Sequence, residues 1–132
     1  MKILAVDDDA DVLEYLSFFL EDEGHEVAVA GDERTALARL ESLDPDAILI
    51  DVMLPGRSGL DLLVRLRSDP RRSDIPLVLV TGDDGVLKDE CRSYLEAHRG
   101  LKGPDHVLGK PMDREALLEV LKTIAVASTM VP

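Results

Sequence analysis

Ala47-Ile48-Leu49-Ile50-Asp51 is an unbroken apolar run that stops on a carboxylate, and the same kind of stop occurs at three other places in the chain. Ile3-Leu4-Ala5-Val6 runs into Asp7-Asp8-Asp9, Leu77-Val78-Leu79-Val80 into Thr81-Gly82, and His106-Val107-Leu108-Gly109 into Lys110-Pro111. Short apolar stretches bounded in this way have the length of strands covered on both faces, and segments of helical period lie between them. The alternation predicts a parallel sheet with helices on both sides. In such sheets ligands bind beyond the carboxyl ends of the strands. Carboxylates, a hydroxyl and an ammonium that are far apart in sequence should therefore converge on one edge.

Working outward, residues 2–6 read as a buried strand and 10–23 as a helix. Val12, Leu13, Leu16, Phe19 and Leu20 share one face of that helix, and Gly24 stops it. Val27 and Val29 alternate with polar or small neighbours, as in a strand nearer an edge. Asp32 is placed to cap a helix carrying Ala36, Leu37, Leu40 and Leu43, which Asp44-Pro45 ends. The strand over 47–50 is apolar throughout and should be central. A turn-rich loop, Pro55-Gly56-Arg57-Ser58-Gly59, leads to a short helix with Leu60, Leu63 and Leu66. Asp69-Pro70 and Ile75-Pro76 bracket the connection to a strand over 77–80. Leu87, Cys91, Tyr94, Leu95 and His98 at helical spacing predict a helix over 84–98 that ends at Gly100. A fifth strand falls at about 105–109, and Leu117, Leu118, Leu121 and Ile124 mark the last helix. The expectation is five βα units in one doubly wound α/β sheet, a single domain over 1–126 followed by a flexible tail over 127–132.

Bulk properties narrow the function. A chain of 132 residues can bury a proper core without disulfides or structural metal. Two Phe, two Tyr and no Trp leave little surface for stacking on bases, and a formal charge of −12 opposes nucleic-acid contact by this chain. The same charge suits cations or basic partner surfaces. Cys91 is the single cysteine, so no internal disulfide can form and a reducing compartment is expected. The first apolar run is too short for a signal peptide, and no stretch of about 18 apolar residues suggests a membrane span. A cytoplasmic protein without membrane contact is the expectation. His25, His98 and His106 have no shared metal-ligand spacing, and Cys91 on an apolar helix face reads as a packing residue.

The converging residues define a chemistry. Two unit charges about 4 Å apart repel by roughly 4 kcal/mol at an effective dielectric of about 20, so Asp7, Asp8 and Asp51 would either shift a pKa or take up a cation. Oxygen ligands on an open edge suit magnesium, which keeps several waters. Acids at a helix start also complement its dipole, which accounts for Asp9 and part of Asp8. It does not account for Asp51 at the end of an apolar strand, where an ion is costly without a use. A carboxylate beside a cation can attack a phosphoryl group, and Thr81 and Lys110 would supply a hydroxyl donor and a positive charge.

Val6-Asp7-Asp8-Asp9, Asp51-Val52-Met53-Leu54-Pro55-Gly56 with Gly59 beyond, Thr81-Gly82 and Lys110-Pro111, in this order, closely resemble the motifs of response regulator receiver domains over residues 2–126. The resemblance implies a flavodoxin-like (βα)5 fold with strand order 2-1-3-4-5. It implies Asp51 as phosphoacceptor, served by a sensor histidine kinase or phosphotransfer protein, and a downstream protein target of unknown identity. Asp8, Asp51 and the Met53 backbone carbonyl would bind magnesium directly, with manganese able to substitute, and Asp7 would act through water. Thr81, Gly82 and Lys110 would bind the phosphoryl group, and Pro111 would be the family's cis-proline. Met53 and Asp83 would modulate dephosphorylation, and phosphorylation could drive homodimer formation. Such a protein catalyses its own phosphorylation and dephosphorylation without being a turnover enzyme.

Two positions depart from the family. Val107 stands where a Tyr or Phe usually couples to the threonine, and the segment between Thr81 and Lys110 is longer by nearly two helical turns. Both bear on switching and output, not on the phosphorylation site. A receiver-like binding module that works without phosphate is one alternative. The other is a haloacid-dehalogenase-like phosphatase using Asp7 in an Asp7-Asp8-Asp9 D-x-D pattern, which leaves Asp51 unexplained.

Overall fold

The computed structural model describes residues 1–51, 59–81, 97, 104–109 and 113–129. Within them the chain runs β1 (Lys2–Val6), α1 (Ala10–Asp22), β2 (Glu26–Ala30), α2 (Glu33–Ser42), β3 (Ala47–Asp51), α3 (Gly59–Ser68), β4 (Leu77–Thr81), β5 (His106–Gly109) and α4 (Arg114–Thr129). The strands form one parallel sheet in the order β2-β1-β3-β4-β5. The strand predicted to be central is the middle one, and the alternating strand lies at an edge.

Alternation along each strand sorts the core into two layers. Leu4, Val6, Ile48, Ile50, Leu77 and Leu79 pack with α2 and α3 on one face. Ile3, Ala5, Ala47, Leu49 and Val78 pack with α1 and α4 on the other. All five residues of β3 are buried, so apolar side chains are required on both of its faces. Each fully buried Leu or Ile contributes roughly 1.5–3 kcal/mol relative to exposure, which makes β3 a firmly held platform.

The local signals read from sequence operate as expected at the helix ends. Asp9 accepts from the Asp11 and Val12 backbone N–H groups at 2.9 and 3.4 Å and starts α1. Asp32 accepts from Thr35 N–H at 2.7 Å and starts α2. Gly24, at φ 91°, closes α1: its N–H donates to the Glu21 carbonyl, and the His25 N–H reaches back to Leu20, both at 3.0 Å. This paired arrangement needs a left-handed residue after the helix, a conformation glycine adopts without penalty.

Some boundaries differ from expectation. β3 and β4 each extend one residue further, to Asp51 and Thr81, because the ladder continues through the pairs Asp51–Val80 and Thr81–Gly109. α2 ends before Leu43, whose extended backbone starts the turn toward β3. The tail expected from 127 onward is helical through Thr129. Apolar periodicity fades after Ile124, but Ala125-Val126-Ala127-Ser128-Thr129 contains no Gly or Pro, so nothing stops propagation. The helix expected over 84–98, with Cys91 and His98 on it, lies outside the described residues apart from position 97, which is helical. No helix among the described residues is long and apolar enough to cross a membrane.

Candidate functional site

Strand register brings the acidic site together. Val6 pairs with Ile50, so the residues that follow, Asp7 and Asp51, stand side by side at the carboxyl ends of adjacent strands. Alternation sends both to the face opposite Val6 and Ile50, the side covered by α1 and α4. Asp8 completes the group: carboxylate oxygens of Asp7, Asp8 and Asp51 lie within 4.8 Å of one another. Asp7 and Asp51 are buried, at 4% and 5% exposure, whereas Asp8 is open to solvent. Asp7 is held by its own backbone. Its N–H donates to the Ala30 carbonyl at 3.1 Å, and its Oδ1 accepts from the Asp9 N–H at 2.9 Å.

The donor set suits a hard divalent cation. Among the described residues every candidate ligand is a carboxylate oxygen, two of the three being removed from bulk water while Asp8 faces solvent. Asp9 does not join this group, since its carboxylate is engaged with the first turn of α1. Thr81 ends β4 one residue beyond the partner of Asp51 and pairs with Gly109, the residue before Lys110. Strand ends thus bring the positions of Asp7, Asp51 and Thr81 to one edge, as their scattered sequence positions predicted. Met53, Gly82, Asp83, Lys110 and Pro111 lie outside the described residues. Val107 sits on edge strand β5 opposite Leu79 and is 37% exposed.

One group escaped the sequence reading. Arg67, 5% exposed, lies at the far end of α3 and donates to the Ser73 and Ile75 carbonyls at 2.8 and 2.9 Å. It also pairs with Asp105 at 2.8 Å, and the same Asp105 oxygen accepts the Leu77 N–H at 2.8 Å. A signal was present: Arg67 follows Leu60 by seven positions and Leu63 by four, which puts it on the buried stripe. Its partner, 38 positions away, gave no sign of itself.

A five-stranded flavodoxin-like sheet with clustered aspartates at the carboxyl ends of its central strands defines the class of protein. The family described as "Response regulator receiver domain" matches residues 3–122, and the chain belongs to it, as a receiver domain of two-component signalling. Sensory transduction protein RegX3 of Mycolicibacterium smegmatis is 34% identical over 124 residues, covering 93% of this chain and 50% of that protein. DNA-binding response regulator MtrA of Mycobacterium tuberculosis is 45% identical over 80 residues, covering 61% of this chain and 34% of that protein. The chain thus spans half or less of the length of these curated relatives. Among solved structures, chemotaxis response regulator CheY4 of Vibrio cholerae superposes with a TM-score of 0.79 at 29% identity, covering 93% of this chain and 97% of that one. The signal receiver domain of a histidine kinase from Syntrophus aciditrophicus gives a TM-score of 0.82 at 29% identity, covering 99% and 94%.

Proposed function

We propose that this receiver takes a phosphoryl group onto Asp51 from the phosphohistidine of a sensor histidine kinase or phosphotransfer protein, and that the modification changes which downstream protein it binds. The observation that carries the reading is the meeting of Asp7, Asp8 and Asp51 within 4.8 Å at the carboxyl edge of the sheet. Asp7, Asp8 and Asp51 would hold magnesium, or manganese in its place, and the ion would neutralise phosphoryl oxygens. An Asp51 oxygen attacks phosphorus, the bond to the donor's imidazole nitrogen breaks, and that nitrogen keeps the electron pair and takes up a proton from solvent. Buried on β3 and flanked by β1 and β4, Asp51 is oriented before the donor arrives, so little ordering remains to be done in the transition state.

The remaining roles follow from position and chemistry. Asp7 braces the loop after β1 by accepting the Asp9 N–H. Thr81 would donate its hydroxyl to the phosphoryl group and Lys110 would pair with the added charge of roughly −1.5 to −2. The protein serves as substrate and catalyst of one event and is not a turnover enzyme. MtrA is named a DNA-binding regulator, yet its match covers 34% of that protein, and the charge of −12 disfavours nucleic-acid contact by the residues in hand. The phosphatase alternative needs Asp9 at the reacting centre, and Asp9 is committed to capping α1.

Acetyl phosphate with magnesium should add one acid-stable, base-labile phosphoryl group, read by intact mass, and Asp51→Asn should abolish it. Undiminished labelling of Asp51→Asn would move the nucleophile elsewhere.

A further inference from the structure

We propose that Gly59 is a positioning residue for Asp51, its missing side chain being what lets α3 pack against the carbonyl of the phosphoacceptor and hold it in register. This rests on the phosphoacceptor reading. Gly59 opens α3, and a methyl group built on it would overlap the Asp51 carbonyl oxygen, standing 3.0 Å from the Asp51 carbonyl carbon and 2.8 Å from Ile50 Cγ2. Its φ lies outside the left-handed region, so the demand for glycine here is one of space, not of backbone conformation.

The overlap can be relieved only by moving Ile50, α3 or the Asp51 backbone, and the end of a strand is the least costly of the three to move. Ile50 is fully buried and cannot swing aside. α3 is anchored by Leu60, Leu62, Leu63 and Leu66, each no more than 7% exposed, so a retreat of the helix would open a cavity beneath four side chains. Asp51 is the last residue of its strand, with Val80 as its cross-strand partner. The overlap would therefore be relieved by displacing Asp51, and with it the carboxylate that must meet Asp7 and Asp8. Positional errors of about 1 Å at a reacting centre cost on the order of 100-fold in rate.

A second glycine supplies the contrast. Gly31 also faces the backbone of a site acid, but a methyl built there would stand 3.9 Å from the Asp7 carbonyl oxygen, an ordinary contact. Among the described residues two glycines flank the site, and only Gly59 is required by space.

The test compares Gly59→Ala, Gly31→Ala and Leu66→Ala in the full chain, with sucrose present to keep all three folded. Leu66 lies at the far end of α3 and serves as a control for destabilisation of that helix. Gly59→Ala should lose on the order of 100-fold in Asp51 labelling rate per folded molecule at saturating magnesium. It should also bind manganese more weakly, and shift the Ile50 and Asp51 backbone resonances in the metal-free protein. Gly31→Ala and Leu66→Ala should stay within about twofold of wild type in labelling, a margin far inside the 100-fold effect. Equal labelling by Gly59→Ala and Leu66→Ala would overturn the proposal, as would a Gly59→Ala protein that cannot fold even in sucrose. If wild type itself takes no label on Asp51, the phosphoacceptor reading fails, while the metal-free resonances still decide whether Gly59 holds Asp51 in place.

Discussion

Among the described residues three charged side chains are buried, and they lie at opposite edges of the sheet: Asp7 and Asp51 at the carboxyl ends of the strands, Arg67 at the amino ends. At the amino edge the charge is compensated. Arg67 meets two carbonyls and the Asp105 carboxylate, and Asp105 in turn satisfies Leu77 N–H. At the carboxyl edge like charges are gathered instead, with an exposed third carboxylate added to two buried ones. The first arrangement ties α3, the 69–76 connection and the starts of β4 and β5 into one unit. The second gathers carboxylates where a cation can bridge them. Burial of charge is common to both edges; a guanidinium paired with a carboxylate marks the scaffold, and a cluster of carboxylates marks the site.

Breaking the amino-edge pair should have the largest effect on stability. Arg67→Ala removes the guanidinium that stands 2.8 Å from the Asp105 carboxylate, and removal of one partner of a buried pair costs about 3–5 kcal/mol. Asp105 retains some solvent contact, its side chain being 22% exposed, so the lower figure is expected. Adding Asp105→Asn, which keeps an acceptor for Leu77 N–H, should restore more than half of the loss. Urea denaturation with an unchanged slope checks both variants. If the contrast between the edges holds, Asp51 labelling per folded molecule stays at the wild-type rate in each.

The opposite sign is expected at the carboxyl edge. Asp8→Asn removes a repelling charge and should raise metal-free stability by about 1 kcal/mol, the Coulomb value for two charges 4 Å apart in water. It should also weaken magnesium binding by at least about tenfold, equivalent to 1.4 kcal/mol. A destabilised Asp8→Asn protein would mean that Asp8 is held by favourable contacts and that the two edges are alike.

Asp9→Ala sharpens the comparison within one loop. Loss of the α1 cap should cost about 1 kcal/mol and leave magnesium affinity near wild type. A greater loss of metal binding than in Asp8→Asn, measured by parallel titrations, would put Asp9 in the site and bring back the D-x-D phosphatase geometry.

The smallest effect concerns His25, beside neither edge site and 3.1 Å from the amino group of Met1. Burial, and then the positive amino terminus, lower its pKa from 6.5. The folded state therefore disfavours the imidazolium. The stability contribution is fully present above the unfolded pKa and is lost as pH falls from about 6.5 through the lower folded value. His25→Asn should flatten thermal stability between pH 7 and pH 5 relative to wild type. An unchanged slope would assign that pH dependence to other groups.

Much of this is a matter of local chemistry that single residues declare. Gly24 announces the end of α1 because only the left-handed backbone closes its two terminal hydrogen bonds. Asp9 and Asp32 announce helix starts because a short acid satisfies exposed N–H groups of the first turn, two at Asp9 and one at Asp32. The acidic site was legible for a related reason: once four apolar runs are taken as parallel strands, their ends must share an edge. The extent of α4 was not, because packing periodicity ends at Ile124 while helical hydrogen bonding continues to Thr129.

The sequence by itself determined the order of the described elements, the inner strands, the two-faced core and the acids that meet at the carboxyl edge. Each of these depends on periodicity, on terminal caps or on the direction of a strand, and all are properties of neighbours along the chain. Only the tertiary structure decided that Arg67 finds Asp105, that Gly59 lies against the Asp51 carbonyl and that His25 meets the amino terminus. These depend on the distance between segments after packing, and no periodicity records how closely two surfaces will approach.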